Sequence, residues 1–212
     1  MDDHEQGERV REWLRANGAS ITTGIAIGLA GILGWQWWQH NQGQHRLDAA
    51  AMFQSLEKAA DDKDTATFDQ LAGELGDKFK NTPYGTLAML RQASEKVGQG
   101  DLDAAGKALN EAVAVAQSPA LAALARLRLA RVQLAGGNAQ AAIDELAKMP
   151  AGDFAGLADE LRGDALLTLD RRDEAEAAYQ DALTNLETGA PNRSVVEMKL
   201  ADLGVAASEP GA

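Results

Sequence analysis

Histidine is the first side chain to weigh as a metal ligand or proton carrier, and the chain has three, His4, His40 and His45. His40 and His45 are five residues apart, off the spacing of three or four that stacks side chains on one helix face, and a long apolar run separates His4 from both. They read as solvated imidazoles. Asp61, Asp62 and Asp64 resemble the opening of a calcium loop, yet Ala66 stands where the next oxygen donor belongs and the loop's glycine is missing. They read as a polar turn. Asp159 and Glu160 are adjacent on a helical pattern, so they diverge and cannot share a proton-transfer task. The composition has Cys 0, which excludes thiol nucleophiles, thiolate metal sites and disulfides. No catalytic residue, cofactor or metal is expected.

Binding chemistry is better represented. Arg126, Arg128 and Arg131 share one helical segment, and Arg91 and Lys96 share an earlier one. Such cations suit acidic segments or a C-terminal carboxylate, through charge-assisted bonds. The competing reading is salt bridging to the many neighbouring carboxylates. Lys plus Arg number 20 against 32 Asp plus Glu, a formal charge of -12, opposite in sign to a phosphate-binding surface. Neither nucleic acid nor a small-molecule substrate is expected as a partner.

These cations need elements to carry them, and the pattern is helical throughout: aromatics are only 5% of residues, alanine and leucine dominate, and strand-like alternation is absent. The first element differs from the rest. No Asp, Glu, Lys or Arg falls between Arg15 and Arg46, and the centre of that interval reads ITTGIAIGLAGILGWQWW. As a helix these residues span about 27 Å, near the thickness of a bilayer core. Trp35, Trp37 and Trp38 gather at one end like an interfacial belt. The flanks lack a small-residue cleavage site, so the reading is an uncleaved signal anchor. Arg9, Arg11 and Arg15 precede it, against Arg46 and Lys58 beyond it, which predicts a cytoplasmic N-terminus. Val10, Trp13 and Leu14 recur at helical spacing, as on a short surface-lying helix. Gly24, Gly28 and Gly31 would let another membrane helix approach closely.

Beyond Gln44 three segments align: VGQGDLDAAGKALNEAV, LAGGNAQAAIDELAKM and LDRRDEAEAAYQDALTNL. Their alanines Ala105, Ala142 and Ala175 are 37 and 33 residues apart, close to the tetratricopeptide period. Small or packing residues recur in each unit: Ala93, Ala105, Leu109 and Ala112, then Ala130, Ala142 and Leu146, then Gly163, Ala175, Tyr179 and Ala182. The stretch from Leu47 to Phe79 reads as a further pair in irregular form. The predicted fold class is all-α, one N-terminal transmembrane helix followed by a tetratricopeptide-like α-solenoid of helical hairpins. Its expected parts are a cytoplasmic segment 1–20, a membrane helix 21–39, a juxtamembrane linker 40–46, a repeat domain 47–204 and a flexible tail 205–212.

In order, the anchor ending GWQWW, NTPYGTLAMLRQA, LRLARVQL, LRGDALLTLDRRDEA and the closing EMKLADL resemble the ancillary SecYEG translocon subunit family over nearly the whole chain. The resemblance implies a non-enzymatic scaffold in a bacterial inner membrane with its large domain periplasmic. It implies the SecYEG channel and a membrane-anchored parvulin-type chaperone as partners, with inner-membrane lipid around the anchor. A repeat adaptor for envelope assembly or cell division is the alternative function for such a chain.

Overall fold

The computed structural model describes residues 3–204 apart from residues 151 and 153. The expected tail 205–212, and the side chains of His4, Arg9, Val10 and Leu14, lie outside the described residues. Every regular element described is an α-helix: α1 (Asp3–Asp61), α2 (Thr65–Lys78), α3 (Pro83–Gly98), α4 (Leu102–Val115), α5 (Pro119–Ala135), α6 (Ala139–Leu146), α7 (Ala155–Thr168), α8 (Arg172–Asn185) and α9 (Arg193–Asp202). The chain divides into two units, one up to Asp48 and one from Ala49 onward.

In the first unit, α1 carries an apolar stretch long enough to cross a bilayer, and none of it is buried. Ile27 is 68% exposed and Trp37 70%. The hydroxyls of Thr22 and Thr23 donate to main-chain carbonyls one turn back, at 2.9 Å to Gly18 and 2.7 Å to Ala19. Polar atoms are thereby satisfied without water, as an apolar surrounding requires. Segment 40–46, expected as a linker, is helical; it contains no proline, and a single glycine costs a helix only about 1 kcal/mol.

The second unit is built from four hairpins, closed by one recurring turn. The C-terminal part of α1 pairs with α2, α3 with α4, α5 with α6, and α7 with α8. Each first helix ends at a residue in the left-handed region: Lys63 (φ 58), Gly100 (φ 78), Gly137 (φ 81) and Asp170 (φ 58). The next amide then bonds back five residues, Asp64 to Ala59 at 2.9 Å, Asp101 to Lys96 at 2.9 Å, Asn138 to Gln133 at 2.8 Å and Arg171 to Leu166 at 3.0 Å. This is the Schellman closure, which satisfies the orphan carbonyls of a helix end. The same residue that closes one helix then opens the next. Asp64 and Asp101 accept from the amides of Thr67 at 3.1 Å and Ala104 at 2.9 Å, so chain reversal takes only a few residues.

Packing within the hairpins follows a complementary rule. Leu56 and Ala72, Ala93 and Leu109, Ala130 and Leu146, and Gly163 and Tyr179 are each 16 residues apart, and every pair sets a small residue against a large one. The members of the first three pairs lie buried in shared core clusters. In the fourth, a Cβ placed on Gly163 would fall 2.6 Å from Cδ1 of the fully buried Tyr179. Summed volume is held while its distribution changes, which is what a close-packed interface tolerates. Ala105, Ala142, Ala175 and Ala182 are fully buried where the second helices cross their neighbours.

The last helix, α9, covers the far end. Val196 and Leu200 bury against α8, and Lys199 Nζ reaches Glu160 at 2.8 Å and Asp164 at 2.7 Å. Tyr179 donates its hydroxyl to Asp164 at 2.7 Å. Burial, and then the bond to Asp164, push the Tyr179 phenol far up. Burial would lower Lys199, but its bonds to Asp164 and Glu160 outweigh that and hold it above its ordinary value.

The size rule makes a stability prediction. Gly163→Ala alone should cost about 1–3 kcal/mol by overpacking against Tyr179. Joined with Tyr179→Leu, which recreates the Ala93–Leu109 arrangement, it should be less damaging than the two single effects summed. Thermal unfolding of the full chain in mild detergent measures this as a coupling of about 1 kcal/mol; strictly additive effects would contradict direct packing.

Candidate functional site

Helix α5 is the central element of the second unit, flanked by α4 and α6 and touching α3 and α7. Ser118 opens it, accepting from the amide of Leu121 at 3.2 Å, with Pro119 in the first turn. Ala125, Leu127, Leu129 and Ala130 bury on several sides. Polar side chains therefore survive only on the strip left between neighbours. Arg128 and Arg131 lie on the side of α5 that faces α3 and α4, Arg126 lies on the side that faces α6, and α3 supplies Arg91 and Lys96 from the adjacent first helix.

The five cations do not act as one cluster. Arg91 pairs with Glu57 at 3.4 Å and Glu95 at 2.8 Å, and Lys96 lies 3.9 Å from Asp69. Arg126 bonds Glu145, a buried carboxylate that Lys148 also reaches at 2.7 Å. These three cations tie helices together. Arg128 Nη1 lies 3.5 Å from the Leu90 carbonyl, which is long for a hydrogen bond. Neither Arg128 nor Arg131 makes an ion pair among the described residues. Both line a cavity of about 300 Å³ between α3, α4 and α5, together with Val97, Leu102, Leu109, Val132 and Ala135. The arginines are legible in the sequence, and Leu109 is legible as a packing position, but the cavity is not, because its lining comes from three helices.

Four of the carboxylates weighed for chemistry have structural partners. Asp64 caps α2, and Asp62 takes the Lys58 ammonium at 2.7 Å. Asp159 and Glu160 face different partners, Arg162 at 3.1 Å and Lys199 at 2.8 Å. Ser55 and Lys58, passed over in the sequence, have the SxxK spacing of some acyl-transfer enzymes, but the Ser55 hydroxyl donates to the Ala51 carbonyl at 3.2 Å and Lys58 is held by Asp62. No nucleophile and base face one another there.

In the first unit, Gly24, Gly28 and Gly31 leave open space: a Cβ added to any of them meets nothing within 4 Å. Their spacing of four and three places them along one side of the helix. The Trp35 and Trp38 rings lie 5.2 Å apart, tilted by 36°, and Trp37 projects separately. The helix thus exposes a row of small residues and, towards one end, a cluster of aromatic rings.

Sorting the cations this way predicts unequal costs. Arg126→Ala strips one partner from buried Glu145 and should destabilise the domain by about 1–3 kcal/mol, whereas Arg131→Ala should stay within about 0.5 kcal/mol of the parent. Chemical unfolding monitored by helix signal compares the two; equal losses would contradict the division into structural and free arginines.

The model of the tetratricopeptide repeat-like domain matches residues 11–205. Over 204 residues, 96% of this chain and 98% of the relative, the sequence is 28% identical to the ancillary SecYEG translocon subunit of Escherichia coli strain K12. The protein of the same name from Aggregatibacter actinomycetemcomitans is 26% identical over 203 residues, covering 96% and 98% of the two chains. That of Haemophilus influenzae strain Rd is 24% identical over 182 residues, covering 86% and 89%. Matches of this extent take in the apolar helix together with the hairpins. The chain belongs to the tetratricopeptide repeat-like domain family, and nearly end to end it is similar to the ancillary SecYEG translocon subunits.

Proposed function

We propose that this chain is a non-catalytic scaffold of a bacterial inner membrane that works beside the SecYEG channel and links secretion to periplasmic folding. The observation that carries the reading is the extent of the likeness to ancillary translocon subunits, 96% of this chain in the first comparison, which requires anchor and repeats to be shared as one unit. An anchor and a binding domain kept together point to a task that depends on location. Arg9, Arg11 and Arg15 before the apolar stretch, against Arg46 and Lys58 after it, favour a cytoplasmic N-terminus and a periplasmic repeat domain. The open strip of Gly24, Gly28 and Gly31 suits docking against channel or chaperone helices. The repeat domain would then receive a parvulin-type chaperone or an emerging polypeptide.

Co-purification of the tagged full chain from cells in mild detergent tests this directly. Channel subunits should accompany it, and replacing Gly24 and Gly28 with leucine should reduce their recovery while the chain stays membrane-bound. Recovery of envelope-assembly or division proteins without channel subunits would favour the alternative adaptor role instead.

A further inference from the structure

Along α3 and α5 cations and carboxylates pair off, except at one place. Arg91, Lys96 and Arg126 each meet a carboxylate. Arg128 and Arg131 have none among the described residues, in a chain with 32 acidic side chains against 20 basic ones. In so acidic a surface, two neighbouring guanidiniums without a carboxylate partner keep most of their donors for an external anion. They also line an apolar cavity with Val97, Leu102, Val132 and Ala135, of about 300 Å³. That volume lies at the lower limit of ligand pockets and suits a single anchoring side chain better than a whole small molecule. Arg128 and Arg131 are three residues apart on one helix, so they present two anion positions along the α5 axis. A segment lying along the helix meets both more readily than a lone chain terminus does.

We propose that this cavity docks a short acidic segment of a partner polypeptide, a large apolar side chain entering between α3 and α5 while flanking aspartate or glutamate side chains pair with Arg128 and Arg131. The inference rests on the reading of the repeat domain as a protein-binding module and names the chemistry of its ligand. Affinity comes from the buried anchor, and selectivity from the charges beside it. A basic or uncharged apolar segment is disfavoured, since it leaves both guanidiniums unpaired against the cavity.

Fluorescence anisotropy with the purified full chain in mild detergent tests the proposal. The probe is an end-capped peptide with a leucine–phenylalanine pair flanked on each side by two glutamates; a second carries lysines in their place, and a third has no flanking charges but a free C-terminal carboxylate. The glutamate peptide should bind at least about tenfold more tightly than either of the others and weaken as salt is raised. Combined Arg128→Glu and Arg131→Glu should reduce its affinity by about tenfold or more, and Ala135→Trp, which fills the cavity without altering charge, should reduce it as well. Arg172→Glu, at an exposed site on α8, should leave it unchanged. Equal binding of the glutamate and lysine peptides, preference for the free terminus, undiminished binding by the double variant, or no binding at all would each overturn the proposal. Loss of peptide binding with channel co-purification intact would remove this inference alone; the converse would remove the channel reading and leave the pocket.

Discussion

Close approach of paired helices is the constraint on which the second unit depends. Each hairpin sets a small side chain against a large one 16 residues later, and the size of the pair rather than its order is kept. Gly163 with Tyr179 is the extreme case, where even a methyl group has no room. Because close-packed interiors do not absorb a surplus methylene without moving backbone, this pairing fixes the distance between helices. The recurring Schellman turns then fix their reversal. With both set, first helices neighbour first helices, and α3, α5 and α7 come into contact in sequence.

That arrangement also explains which cations are spent on structure. Glu57, Asp69 and Glu145 lie on α1, α2 and α6, beside the faces from which Arg91, Lys96 and Arg126 project. At Arg128 and Arg131 the opposing wall is apolar, formed by Val97 of α3 and Leu102 of α4. Fold geometry thus creates a charge imbalance from a sequence that has acids to spare. At the other end of the domain the reverse holds: Lys199, Glu160, Asp164 and Tyr179 satisfy one another and seal α9 onto the last hairpin. In the first unit the constraint is solvent. A helix exposing Ile25, Ile27, Leu29, Ile32 and Leu33 with no charge among them presents a surface suited to apolar surroundings.

Much of this was legible in the sequence, for identifiable reasons. The uncharged run announces the apolar helix, and Ala105, Ala142 and Ala175 announce three hairpins because one crossing geometry keeps demanding the same small residue. The first hairpin escaped that pattern. It reverses the size pair to Leu56 and Ala72, places Phe68 where the others have alanine, and turns at Lys63 instead of glycine. Two of the four left-handed turns carry a lysine or an aspartate, so glycine alone could not reveal the repeat. The site was less legible. Which arginine is neutralised depends on carboxylates brought from other helices, such as Glu145, 19 residues from Arg126. The cavity depends on three helices at once, and no periodicity in one segment encodes it.

The proposed role requires one apolar helix to hold a protein-binding solenoid beside the secretion channel. Photo-crosslinking in intact cells, with the reactive residue placed in turn at Gly28 and at Arg131, tests it most directly. Gly28 should give adducts with channel or chaperone membrane helices, and Arg131 a distinct adduct with a periplasmic or emerging polypeptide. Random membrane-protein adducts at Gly28, or cytoplasmic proteins captured at Arg131, would contradict it.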